Sequence, residues 1–308
     1  MAPSIRFGTS SWAFPGWRGE VFGKSSAADR LARFGLAAYS RYPLFRTVGL
    51  DRAFYSLLTE ADACELAALV PDDFRFLVKC HQTVCRPFAT EAGDTFGDTR
   101  ALAAGGLGNP RFLDASYATD VVIGPLAAGF RNRLGPIVFQ FPPLGVERHG
   151  GPQRFLDRLG AFLAALPRGP LYAVETRDRE FLGTDLVRDY ATALRAANVM
   201  HGFAVHPTLP SIAAQAASLD RAEWPIEAQP ALTMRWLLGH GQGYDEAKLR
   251  YDPFDRIVAP DPASRHDILG LLRRAEASNR LAWVIANNKA EGSAPLTIEL
   301  LAKAMVGK

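Results

Sequence analysis

LYAVETRDREF, residues 171–181, is the stretch whose reading decides the fold. Leu171-Tyr172-Ala173-Val174 reads as a buried strand, and Glu175 and Arg177 follow it two residues apart. Side chains two apart on a strand share a face. A carboxylate and a guanidinium therefore finish side by side where an apolar strand opens into a loop.

Outward from this stretch the pattern repeats. Apolar runs rich in Val, Ile, Phe and Leu predict strands at 5–11, 45–51, 74–80, 136–141, 171–177, 201–206, 232–238 and 281–287. All but the more polar first have the character of strands buried on both faces. Helical patterns lie between them. Over 28–42, Leu31, Phe34, Ala38 and Tyr42 fall on one side. Thr59 with Asp62 three residues on resembles a capping box opening a helix over 59–70. Pro152 suits the first turn of a helix carrying Phe155, Leu159, Phe162 and Leu166, and 185–198, 263–278 and 295–305 complete the set. Eight strands alternating with helices predict an α/β fold, a (β/α)8 TIM-like barrel with 1–308 as a single domain. A doubly wound open sheet is the alternative, but no GxGxxG follows the first strand.

Loop lengths orient the barrel. Helix-to-strand links are short, whereas 12–27, 81–111 and 239–262 after strands 1, 3 and 7 are long. Strand-to-helix loops build the catalytic face of such barrels. The Gly-rich part of the second, at about 88–110, reads as an excursion or lid within the domain.

Composition narrows the class. The 308 residues are 48% hydrophobic and 22% charged, with net charge +3, values ordinary for a soluble globular protein. Lys+Arg 35 against Asp+Glu 32 is too even to argue for nucleic acid on charge alone. No signal-peptide pattern opens the chain and no apolar run approaches a membrane span. Cys64, Cys80 and Cys85 show no CxxC spacing, which fits a reducing compartment. A cytoplasmic protein with no membrane partner is expected.

The strand ends carry Thr9, Ser10 and Ser11, Asp51, Lys79 with His81, Gln140, Glu175 with Arg177, His206, Arg235, and Asn287 with Asn288. Such groups are rarely buried unless paired. Glu175 and Arg177 read either as a structural ion pair or as a general acid/base beside an anion clamp. Lys79 reads as a Schiff-base or phosphate-binding lysine, with pairing to Asp51 or Glu175, or ligand binding, favoured over covalent chemistry. His81, His206, Asp51 and Glu175 could gather a metal, but no HxH or HExxH spacing supports one. The asparagines either cap the last strand or present amides to a ligand. Trp12, Phe14, Trp17 and Tyr55 either stack on a ligand or pack the mouth. A glycosidase is disfavoured, because Glu175 and Asp51 lack carboxylate partners on the ends of strands 4 and 7. No phosphate loop, nucleophile elbow or nicotinamide fingerprint is visible, and no cofactor is expected.

These residues carry a family resemblance. Gly8-Thr9-Ser10-Ser11-Trp12 with Trp17 and Phe22 resembles the opening of the YecE-like family, also called domain of unknown function 72. Further similarities follow in order: Phe45-Arg46-Thr47-Val48 to Phe54-Tyr55, Pro71 with Phe74 to Lys79, Leu134-Gly135-Pro136 to Gln140-Phe141-Pro142-Pro143, Glu175-Thr176-Arg177, Arg235, and Asn287-Asn288 with Gly292 and Ala294. The resemblance spans nearly the whole chain and implies a TIM-like barrel, without an established general activity. Three places depart from the family pattern. Gly49 stands where the family has Glu and Asp51 where it has Asn. Thr83-Val84-Cys85 lacks the family's His, and Glu180-Phe181 replaces its Ser-Trp.

The expectation is an enzyme (lyase, isomerase or hydrolase) acting on a small anionic or polyhydroxylated ligand. Glu175 and Lys79 would be catalytic, with Arg177, Arg235, Gln140, Asn287, Asn288, Asp51, His81, His206 and Trp12 binding the ligand. The alternatives are a nucleic-acid-binding barrel and a metal-dependent hydrolase related by fold to repair nucleases.

Overall fold

A computed structural model describes residues 4–23, 27–87, 108–145, 150–239 and 241–307. The eight predicted strands all form: β1 Ile5–Thr9, β2 Thr47–Leu50, β3 Arg75–Lys79, β4 Leu134–Phe141, β5 Tyr172–Thr176, β6 Met200–Val205, β7 Leu232–Trp236 and β8 Ala282–Ala286. They make one parallel sheet in the order β1-β8-β7-β6-β5-β4-β3-β2. The sheet curls until β1 meets β2 through a bridge from Phe7 to Phe45 and a bond from the Arg46 N–H to the Phe7 carbonyl, 2.9 Å. The result is a nearly closed (β/α)8 barrel. Gly8 permits the closure, since a Cβ there would lie 2.0 Å from the Thr47 carbonyl oxygen.

Nine helices of seven residues or more are described: α1 Ala28–Phe34, α2 Glu60–Ala68, α3 Gly124–Phe130, α4 Gly151–Ala164, α5 Val187–Ala196, α6 Ile212–Arg221, α7 Tyr244–Tyr251, α8 Pro262–Ala277 and α9 Ala294–Val306. The capping box opening α2 is present in full, with Thr59 and Asp62 bonding reciprocally. The single helix expected over 28–42 is instead two pieces, because Gly35 ends α1 and a turn of helix, Leu36–Tyr39, follows. The buried stripe becomes Leu31, Leu36 and Tyr39, and Phe34 is left 72% exposed. Three helices were not expected. α3 follows a six-residue π-helical stretch, Ala118–Ile123. α6 is opened by the Ser211 hydroxyl, which accepts from the Ala214 N–H. α7 lies inside the long connection after β7. The Gly-rich excursion falls outside the described residues except for 108–110. Among the described residues no helix is long and apolar enough to cross a membrane.

Strand residues alternate between two apolar layers, as the period of two requires. Phe76, Phe139, Val174, Phe203, Met234 and Val284 pack outward with the helices. Leu77, Val138, Ala173, Met200, Ala231, Trp283 and Ile285 form a separate cluster inside the barrel. Burying each large apolar side chain contributes about 1.5–3 kcal/mol, so both layers favour closure. Two residues further along, the inner face changes character: Leu77 is succeeded by Lys79, Val138 by Gln140 and Ala173 by Glu175. The barrel therefore has an apolar floor and a polar C-terminal mouth.

Loops fasten one side of that mouth. Phe14 packs edge-on to Phe254, with ring centres 5.6 Å apart. Trp17 donates its indole N–H to Asn288 Oδ1 at 3.2 Å. Buried Glu291 accepts from the Asp261 N–H at 2.7 Å and from Arg265, tying the β7–α8 connection to the loop after β8.

Candidate active site at the barrel mouth

Glu175 is the centre of the mouth. It is fully buried, and Gly202 on neighbouring β6 leaves it room, since a Cβ there would sit 3.1 Å from the Glu175 Cβ. Arg177 donates from Nη2 to Glu175 Oε1 at 2.5 Å. Arg235, from β7, donates from Nη1 to both carboxylate oxygens at 3.1 and 3.2 Å, and from Nη2 to Asp51 Oδ1 at 2.8 Å. A chain of alternating charge, Arg177–Glu175–Arg235–Asp51, thus runs from β5 over β7 to the end of β2. Burial alone would push the Glu175 carboxyl up, but Arg177, Arg235 and Lys79 together hold it below the usual carboxylate range. The ion pair expected between Glu175 and Arg177 is present, extended by Arg235 and Asp51.

Lys79 does not pair as expected. Among the described residues its ammonium has no ion-pair or hydrogen-bond partner. Glu175 and Asp51 are already taken by guanidinium groups, which offer several N–H donors in a planar fork. Lys79 Nζ instead lies 3.6 Å from the Phe54 ring centre and 5.9 Å from that of Tyr55. Burial lowers its pKa to about 7, with Asp51 pulling it back up and Arg235 pushing further down. Gln140 stands beside Glu175 in the β4–β5 register and is buried.

The remaining predicted residues divide. Asn287 donates to Ser10 Oγ at 2.8 Å and accepts from the Lys289 N–H at 3.0 Å. Asn288 Oδ1 accepts from Ala294 N–H at 2.9 Å as well as from Trp17. Both asparagine oxygens therefore hold the loop after β8, while Asn288 Nδ2 is buried without a partner. Trp12 is buried with its indole N–H on the Leu31 carbonyl, 3.0 Å, so it packs the β1–α1 loop against α1. His81 caps a one-turn helix by accepting from the Thr83 N–H at 3.4 Å, and burial lowers its pKa. His206 meets the Thr208 hydroxyl at 3.0 Å. Among the described residues no three His, Cys, Asp or Glu side chains are placed to hold a metal ion.

Two residues were missed. Lys289 is buried, with Nζ 4.2 Å from the Tyr244 ring centre and Asp51 acting on its charge. Its signal was parity, since 289 lies two beyond Asn287 at the end of β8. Asp178 accepts from the Leu144 N–H at 2.9 Å, and burial pushes its carboxyl up to about 6. Nothing in the sequence marks that burial. Lys79, Arg177 and Arg235 thus share Glu175 and Asp51, while Lys289 feels Asp51 and Asp245 together with Lys248. Arg177 Nη1 and Arg235 Nε are buried without hydrogen-bond partners. A recess of about 330 Å³ between Tyr42–Leu44 and α9 shares no residue with this mouth.

The family model described as "Protein of unknown function DUF72" matches residues 6–308. The chain is similar in structure to a DUF72 family protein from Enterococcus faecalis V583, with TM-score 0.62 and 14% identity over 99% of this chain and 98% of that one. It is similar to a DUF72 family protein from Thermotoga maritima MSB8 to the same TM-score, with 17% identity over 98% and 99% of the two chains. At such identities the likeness speaks for the fold alone. No curated protein matches the chain.

Proposed function

The chain belongs to the DUF72 family, and on that premise we propose that its barrel mouth binds a small anionic ligand and acts on it by acid–base chemistry. The observation that carries this reading is the buried Arg177 Nη1 without a partner, in a network where Lys79, Arg177 and Arg235 share the two carboxylates Glu175 and Asp51. Buried N–H groups are normally hydrogen-bonded, and a guanidinium suits carboxylate or phosphate oxygens.

Roles divide by environment. Glu175, bonded to two guanidinium groups and kept ionised, positions Arg177 and Arg235 and is a poor proton shuttle. Lys79, near 7, is the acid–base group, because proton transfer is most effective when the pKa lies near the working pH. Gln140 supplies an amide beside Glu175 for a ligand hydroxyl or carbonyl. Because both asparagine oxygens are committed to the loop, the anionic ligand is favoured over a polyhydroxylated one.

Thermal unfolding of the full chain with inorganic phosphate, malonate or glucose at fixed ionic strength tests this. A ligand at a hundredfold its Kd adds about 2.7 kcal/mol to stability. Phosphate or malonate is expected to raise Tm in the parent and much less in Lys79→Met. A rise with glucose alone, or an equal rise in both proteins with the anions, contradicts the reading.

A further inference from the structure

From the placement of Lys79, we infer that its amine forms a Schiff base with the carbonyl carbon of a small 2-oxo acid whose carboxylate is held by Arg177. This rests on the anion site proposed above and adds a covalent step to it.

The first observation is how completely the usual partners of a buried lysine have been diverted. Lys79 is 7% exposed, and a buried ammonium is ordinarily retained by a carboxylate. Here Glu175 is bonded by Arg177 and Arg235, and Asp51 by Arg235. The two guanidinium groups also oppose protonation of the amine, and their effect adds to that of burial. Asp51 is the main opposing influence, with Glu175 behind it, and the face of Phe54 also favours the ammonium lying 3.6 Å from its ring centre. A depressed lysine between a hydrophobic wall and other cations is the arrangement that frees an amine for attack on a carbonyl.

The second observation concerns the other end of the ligand. Arg177 Nη1 is buried and without a partner, while Nη2 is fixed on Glu175. Arg177 is near enough to act on the charge of Lys79, so a carboxylate on Nη1 would bring an adjacent carbonyl toward the amine. Gln140, beside Glu175 in the sheet register, is the amide that would bond the carbonyl oxygen.

The chemistry balances without a further reactant. The Lys79 nitrogen attacks the carbonyl carbon and a C–N bond forms. The oxygen then departs with both amine hydrogens as one water. The imine takes a proton from solvent and becomes an electron sink, and hydrolysis reverses the steps. Nothing is oxidised or reduced.

The test uses the full chain with glyoxylate or pyruvate and sodium cyanoborohydride, whose hydride reduces any imine to a stable secondary amine. The chain has six lysines, at 24, 79, 248, 289, 303 and 308, so peptide mapping resolves each. Lys79 is expected to be alkylated at pH 7 at least about tenfold faster than Lys248 or Lys303, because far more of it is free amine. Malonate, which has no carbonyl, is expected to slow labelling of Lys79 alone. Even labelling across the lysines, or faster labelling at Lys289, overturns the inference. Stabilisation by malonate without labelling of Lys79 overturns the imine but leaves the anion site standing. Neither stabilisation nor labelling overturns both. The wild-type map needs no variant, and Arg177→Lys, which keeps a charge beside Glu175, is expected to slow Lys79 labelling more than that of Lys303.

Discussion

Glu175→Gln is expected to lose about 3–5 kcal/mol of stability, the usual cost of removing one partner of a buried charge network. Gln keeps the shape of Glu175 and removes its charge. Arg177 and Arg235 would then face each other inside the barrel with only Asp51, which is partly exposed, to compensate them. The loss is large because the carboxylate is fully buried and accepts from both guanidinium groups. Chemical denaturation followed by circular dichroism measures it. Asp51→Asn, at the solvent-facing end of the same chain of charges, is expected to cost less. A general acid/base role for Glu175 predicts the opposite pattern for Gln: stability preserved and turnover lost. Unchanged stability in Glu175→Gln would therefore return proton transfer to this residue and contradict the positioning role given to it.

Gly8→Ala is expected to cost at least about 3 kcal/mol, at the upper end of what overpacking produces. The new Cβ would meet the Thr47 carbonyl oxygen at 2.0 Å and its carbon at 2.6 Å. Both are backbone atoms, so no side-chain rotation relieves the contact. Relief would require β1 to part from β2, where the barrel is held by the Phe7–Phe45 bridge and the Arg46-to-Phe7 bond. Gly49→Ala is the control. Its Cβ would come 3.3 Å from the Ile285 Cγ2 and from the Ser10 Cα, tight contacts whose cost is expected near 1 kcal/mol, the low end of overpacking. Thermal unfolding of the two variants side by side measures the difference. Equal stability of Gly8→Ala and the parent would mean that the seam closes in another way.

The strands and their polar ends are legible in the sequence because burial on both faces writes continuous apolar runs, and because parity carries the inner face to Asp51, Lys79, Gln140, Glu175 and Arg235. The presence of Gly35 could have warned of the break after Phe34, but the 3–4 spacing of Leu31, Phe34, Ala38 and Tyr42 concealed it. α6 and α7 escaped notice for a different reason. Ala and Ser dominate much of 212–218, and charged side chains dominate 245–250, so neither presents a strong apolar stripe. At the mouth, sequence shows which groups arrive but not which pairs form. Lys79, Arg177 and Arg235 compete for two carboxylates, and three-dimensional reach decides the contest. The guanidinium groups take both, and Lys79 is left against Phe54. That outcome reverses the expected pairing, and it is the ground for proposing Lys79 rather than Glu175 as the acid–base group.

The most direct test is the titration of Lys79 itself, followed by NMR in protein carrying isotope-labelled lysine. Each of the six lysines gives its own signal, and Lys79→Met assigns the one of interest by its disappearance. Below pH 7 Lys79 is protonated in the folded and unfolded chains alike, and above it only the unfolded chain keeps the proton. Stability should therefore rise with pH from about 7 toward the unfolded lysine value near 10.4, and Lys79→Met should lack that contribution. The account predicts that the assigned signal titrates near 7, as burial and the neighbouring guanidinium groups require. A signal that titrates near 10.4, the ordinary lysine value, would contradict it and leave the mouth a paired structural network.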